Sequence, residues 1–208
     1  MSRICLSLLW ASLLIAPLTA AEPTSLFDGK TLSGWEGKPQ WFRVEDGAIV
    51  AGTLTKKIPN NEFLCTEEAY GDFELTLEAK LVGEGTNAGV QFRSRRIPDH
   101  HEMIGYQCDI GRSPKRIIWG SLYDESRRKI FMAEGPAAQV DQVVKQGEWN
   151  RIKIRCVGRK IQIWVNDLQT VDYTEADKSI PQTGVIGLQI HSGPAAEASY
   201  RHLQLKKL

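Results

Sequence analysis

Apolar and polar positions alternate with a period of two along most of the chain, in short runs separated by turn residues. In "DFELTLEAKL", Phe73, Leu75, Leu77, Ala79 and Leu81 fall on one side and Glu74, Thr76, Glu78 and Lys80 on the other. That pattern predicts a strand with one buried and one solvated face. "WFRVEDGAIVAG" reads as two strands about an Asp46-Gly47 turn, and "KIQIWVNDLQTVDY" as a second hairpin about Asn166-Asp167. Further strands are predicted at 88–93, 104–110, 116–123, 149–157, 184–191 and 198–206. "EADKSI" and "AAQVDQVV" could each hold a helical turn or two. Many short strands at this spacing, with no internal repeat or linker, predict one all-β antiparallel sandwich or barrel over residues 22–208.

Three of these strands carry unusual polar faces. Ordinary solvated strand faces carry Thr, Lys and Glu, as residues 74 to 80 do. In "NAGVQFR", by contrast, Asn87, Gln91 and Arg93 lie opposite Val90 and Phe92; in "GYQCDIG", Gln107 and Asp109 lie opposite Tyr106, Cys108 and Ile110; in "GVIGLQIH", Gln189 and His191 lie opposite Ile186, Leu188 and Ile190. Gln and Asp are poor strand formers. If the three strands are neighbours, their planar hydrogen-bonding groups converge on one concave surface suited to sugar hydroxyls; the alternative is a mixed polar face by chance.

Composition narrows the partners. The chain opens with a basic tip at Arg3, the apolar run "ICLSLLWASLLIAPL" and then "TAA" before Glu22, the pattern of a secretory signal peptide ending at Ala21. Export to the periplasm or cell exterior is therefore expected, and no later run is long enough for a membrane span. The 26 basic and 25 acidic residues nearly cancel, which gives no electrostatic reason to expect nucleic acid. Beyond the leader, Cys65, Cys108 and Cys156 form an odd set, read as buried small apolar residues rather than a disulfide framework.

Several stretches in order carry a resemblance: "SLFDGKTLSGW" at 25–35, "NAGVQFRS" at 87–94, "GYQCDIG", "WGSLYDESRR" at 119–128, "GEWNRIKIRCVGRKIQIWVND" at 147–167, and "GVIGLQIHSG" followed by "YRHLQLKKL". Together they resemble the 3-keto-disaccharide hydrolase domain family of bacterial exported proteins, across nearly the whole of residues 22–208. The resemblance implies a jelly-roll sandwich similar to concanavalin-like lectins and glucanases, with a glycoside oxidised at C3 of its sugar ring as substrate. Many members resemble "GYE-x-Q" where this chain has Gly105-Tyr106-Gln107-Cys108-Asp109, so carboxylate and amide have exchanged places on one strand face.

A ketone at C3 acidifies the C2 proton. A general base can remove it, and the enolate then expels the aglycone from C1. One base suffices, with a cation to hold the enolate oxygen, whereas ordinary glycoside hydrolysis uses two flanking carboxylates. Asp109 is the first choice for the base, His191 the second, and Arg93 the electrophile. Asn87, Gln91, Gln107 and Gln189 are assigned to substrate binding, with Trp119, Tyr123 and Arg127 at the rim. Trp35, Trp41, Trp149 and Trp164 read as core or sandwich-edge residues. The adjacent His100-His101 point apart in an extended segment, so no metal site is expected there, and no cofactor is called for. A non-catalytic lectin-like binding module stays open beside the enzyme, as does an accessory domain of a surface assembly. The enzyme reading expects a perturbed carboxylate or histidine on that face, the binding module aromatic platforms.

Overall fold

Two tight turns show how the chain is laid down. The structure, a computed structural model, describes residues 22–208; the leader expected at 1–21 lies outside the described residues. Asp46 and Gly47 have φ of 49° and 71°, and Asn166 and Asp167 have 46° and 71°, the two left-handed positions that a two-residue hairpin needs to match the twist of its strands. The first joins β3 (Phe42–Glu45) to β4 (Ala48–Thr53), the second β12 (Lys160–Val165) to β13 (Leu168–Thr174).

All strand pairings are antiparallel, and the strands form two sheets. With β1 (Thr24–Ser25), β6 (Phe73–Gly83), β11 (Asn150–Val157) and β15 (Ala196–Lys207), the first sheet runs β13-β12-β11-β6-β15-β4-β3, and β1 pairs with β15. The second contains β2 (Trp35–Glu36), β5 (Glu62–Thr66), β7 (Asn87–Arg96), β8 (Met103–Gly111), β9 (Leu122–Glu125), β10 (Phe131–Ala133) and β14 (Val185–Ile190), in the order β10-β9-β8-β7-β14-β5-β2. The fold is thus an all-β jelly-roll sandwich.

The core lies between the sheets. Phe73, Leu75, Leu77 and Ala79 of β6 are buried while Glu74, Thr76, Glu78 and Lys80 stay half exposed. From the second sheet, Ala88, Val90, Phe92, Tyr106, Cys108, Ile110, Ile186, Leu188 and Ile190 join the same cluster. Each large apolar side chain so buried contributes about 1.5–3 kcal/mol. That drive fixes which face of each strand turns inward, since a one-residue slip would expose the whole set.

Several expectations change. Of 116–123 only Leu122 and Tyr123 are strand, because the positive φ of Gly120 (73°) turns the chain just before β9. "EADKSI" forms no helix, whereas "AAQVDQVV" supplies α1 (Ala137–Val143), which buries Val140. His100 and His101 do not point apart: Asp99 turns the chain with φ 55°, and the two rings stack at 4.4 Å. Cys65, Cys108 and Cys156 are free and buried. No helix among the described residues is long and apolar enough to cross a membrane.

Candidate functional site

The ladder registers of the second sheet gather the outward-facing positions into rows. Gly89 lies opposite both Asp109 and Gln189; Gln91 lies opposite Gln107 and Gly187; Gln107 also faces Tyr123, which faces Phe131. The three strands with polar faces are therefore neighbours, in the order β8-β7-β14. Above them is a cavity of about 450 Å³ whose lining includes Asn87, Gln107, Asp109, Tyr123 and His191.

Asp109 is its most perturbed group. Its residue is 3 % exposed, and the Gln107 amide donates to its carboxyl from Nε2 at 2.6 Å. Burial pushes the carboxyl up to about 8; the Gln107 hydrogen bond opposes this, and the Glu125 and Glu134 carboxylates add to it. No basic side chain forms an ion pair with Asp109 among the described residues. Glu125, on the same outward parity as Tyr123, also lines the cavity. Burial and the nearby Glu102 carboxylate push it up to about 7. Two carboxyls thus titrate near neutrality, where a proton-transfer group is most effective.

His191 follows β14 at the cavity wall, with Nδ1 2.7 Å from the Ser192 carbonyl. A carbonyl can only accept, so Nδ1 carries the hydrogen and Nε2 is the basic nitrogen of the neutral ring. Asn87 lines the cavity, and its Oδ1 has no protein partner among the described residues. Gln189 is fully buried beside Gly89 and Phe63, outside the lining, and neither atom of its amide finds a partner there. Gln91 is also fully buried and reaches the site only through Gln107.

Arg93 is not in this site. A bulge between Phe92 and Arg95 breaks the alternation, Arg93 takes φ 47°, and its side chain swings to the sandwich edge. There it donates to the carbonyls of Gly71 and Gly158, to Gln182 and to Asp72. Trp119 packs in the core at 2 % exposure instead of rimming the cavity. Arg127 stacks over the Tyr106 ring at 4.6 Å and pairs with the buried Asp124. Arg128 joins that knot, binding Asp124 and Glu175, so "DESRR" is a strand end followed by a turn anchored by ion pairs.

Alternation along the sequence did not bring out Glu125, Arg112, Asn61 and Phe131, which all line the cavity. Counting on from Tyr123 would have placed Glu125 correctly had β9 been extended by two residues. Arg112 is exposed at the rim, and its guanidinium pairs with no carboxylate among the described residues. Phe131 meets Tyr123 edge-on at 5.1 Å, giving the cavity one aromatic wall.

Known proteins share both the sequence pattern and the fold. The family model of the 3-keto-alpha-glucoside-1,2-lyase-like domain matches residues 22–206. Two structures from Parabacteroides distasonis ATCC 8503, provisionally named glycosyl hydrolases, share the fold. One is 18 % identical with a TM-score of 0.66, covering 89 % of this chain and 94 % of that one. The other is 22 % identical with a TM-score of 0.64, covering 90 % and 100 %. The carbohydrate binding module CBM66 from Bacillus subtilis is 13 % identical with a TM-score of 0.62, covering 84 % and 96 %. No curated protein matches the chain.

Proposed function

The chain belongs to the 3-keto-alpha-glucoside-1,2-lyase-like domain family, and from that premise we propose that it is an exported enzyme that eliminates the aglycone from 3-keto-glycosides, with Asp109 as the base. The observation that carries this reading is a buried carboxyl at a cavity wall, raised to about 8 and oriented by a neighbouring amide.

In its ionised form Asp109 takes the C2 proton of the bound sugar. The C2–H electron pair moves into a C2–C3 double bond and the C3 oxygen becomes an enolate. As the carbonyl re-forms, the double bond shifts to C1–C2 and the C1–O bond breaks toward the aglycone. The aglycone oxygen needs one proton, the number taken from C2, so Asp109 can return it. Glu125, raised to about 7, is the second group in the cavity able to donate. Arg112 replaces Arg93 as the cation for the enolate, since it is the guanidinium in the lining. Asn87 and His191 offer hydrogen bonds to sugar hydroxyls, and His191 is the alternative base through Nε2.

The binding-module reading has its own support in the Tyr123–Phe131 wall, against which a sugar or an aglycone ring could pack. The deciding experiment incubates purified protein with a panel of glucosides and their 3-keto forms, following aglycone release and the conjugated product by absorbance. The proposal expects release from the 3-keto forms only. Binding of both classes with release from neither would replace the enzyme by the binding module.

A further inference from the structure

Asp109 is the end of a buried chain of hydrogen bonds running beneath the cavity floor. Ser94 Oγ donates to Gln91 Oε1 at 2.7 Å, Gln91 Nε2 donates to Gln107 Oε1 at 2.9 Å, and Gln107 Nε2 donates to Asp109 Oδ1 at 2.6 Å. All four residues are at most 3 % exposed. We propose that Gln91 and Ser94 are positioning residues that hold the Gln107 amide in one orientation and so control how Asp109 exchanges its proton with substrate. This rests on the proposed role of Asp109 as the base.

The chain has a direction. The carbonyls of Phe92 and Tyr106 compete with Gln91 Oε1 for the one Ser94 hydroxyl hydrogen, so the order is set from the other end. An ionised Asp109 can only accept, which turns the Gln107 NH2 toward it and leaves Gln107 Oε1 for the Gln91 NH2. In this order Asp109 Oδ1 must accept, which favours the carboxylate. Reversing the amides would require Asp109 to donate, which only the neutral acid can do. Amide direction and carboxyl protonation are therefore linked.

Local backbone features are shaped around the two ends. A Cβ on Gly89 would lie 2.5 Å from Gln107 Cδ, so the glycine leaves the space over which Gln107 folds. A Cβ on Gly105 would lie 2.1 Å from Ser94 Oγ. The bulge after Phe92, which removes Arg93 from the site, is also what turns Ser94 back toward Gln91. The charged and titratable groups facing Asp109 are Glu125 and Tyr123 on β9, Glu134 after β10, Arg112 after β8 and His191 after β14. None of them touches Gln91 or Ser94 through a hydrogen bond or ion pair among the described residues, so variants at those two positions act on Asp109 through the chain.

The test titrates Asp109 by carboxyl carbon NMR in the whole protein without substrate, its signal identified by its loss in Asp109→Asn. Gln91→Met keeps the length and removes the donor; Ser94→Ala removes the chain's far end at small steric cost. The midpoint of Asp109 should rise by about half to one pH unit in Gln91→Met and by less in Ser94→Ala, the size expected for weakening one hydrogen bond to a charge. The acidic limb of kcat/KM for a 3-keto-glycoside should move in step. If Gln91→Met does not fold, Ser94→Ala carries the test alone. An unmoved or lowered midpoint overturns the relay even if turnover is normal. A raised midpoint in a protein that turns over no 3-keto-glycoside keeps the relay and defeats the proposed reaction.

Discussion

The Gln107 amide donates to the Asp109 carboxyl across 2.6 Å, between residues two apart on one strand face. An alternating strand puts positions i and i+2 on the same side. A free carboxylate there would be solvated; under the cavity lining it is desolvated, and one amide hydrogen bond does not make up the loss. The result is a carboxyl that holds its proton near neutrality and gains its basic form as pH rises toward about 8.

Stability should record this directly. In the unfolded chain Asp109 ionises near its ordinary value of 3.8, and in the folded protein only at about 8. Between those values the folded state holds the extra proton, so stability falls as pH rises through that window. Glu125, raised from 4.5 to about 7, contributes in the same direction. Thermal denaturation should show the wild type losing ground to Asp109→Asn between about pH 4 and about pH 8, since the amide fills the same space and needs no ionisation. Parallel curves for the two proteins would mean that Asp109 ionises normally in the fold.

Gly89→Ala tests the space above the strand. Its backbone suits alanine, but the new methyl would displace Gln107 from Asp109. Loss of that positioning should cut kcat by about tenfold or more, because small displacements of catalytic groups are costly. Far-ultraviolet circular dichroism should remain that of the wild type. Full activity would mean that the Gln107–Asp109 contact is not used.

Arg93→Met should act on the fold instead. Removing the guanidinium leaves the Gly71 and Gly158 carbonyls without these donors, at a cost of about 1–3 kcal/mol. Denaturant unfolding should show that loss, with KM for a 3-keto-glycoside unchanged. A raised KM at unchanged stability would return Arg93 to the site.

Much of this arrangement is legible from alternation alone. The faces of β6, β7 up to Phe92, β8 and β14 follow from a period of two because each packs one face on the core. The hairpins at 46–47 and 166–167 follow from residues that tolerate positive φ. The bulge at Arg93 is not legible this way, because an inserted residue leaves no mark in polarity and inverts every inference beyond it. Trp119 looks like a sugar platform by type, yet the turn at Gly120 directs it to the core. Glu125 needed a contact distant in sequence: its perturbation comes from burial and from Glu102, on the connection between β7 and β8. Arg127 follows a turn at Ser126, φ 54°, that carries it to the sandwich edge over Tyr106.

The most direct test follows deuterium placed at C2 of a 3-keto-glucoside through a single turnover, reading the sugar product by mass spectrometry in the wild type and in Asp109→Asn. Elimination breaks the C2–H bond, so the wild type should release aglycone with the deuterium lost. Asp109→Asn should be slower by about two to four powers of ten, the usual contribution of a positioned base, with KM little changed. Aglycone release with deuterium retained would show direct hydrolysis at C1. Normal turnover in Asp109→Asn together with loss in His191→Ala would give the base to His191. Either result would contradict the assignment of Asp109 as the base that starts an elimination.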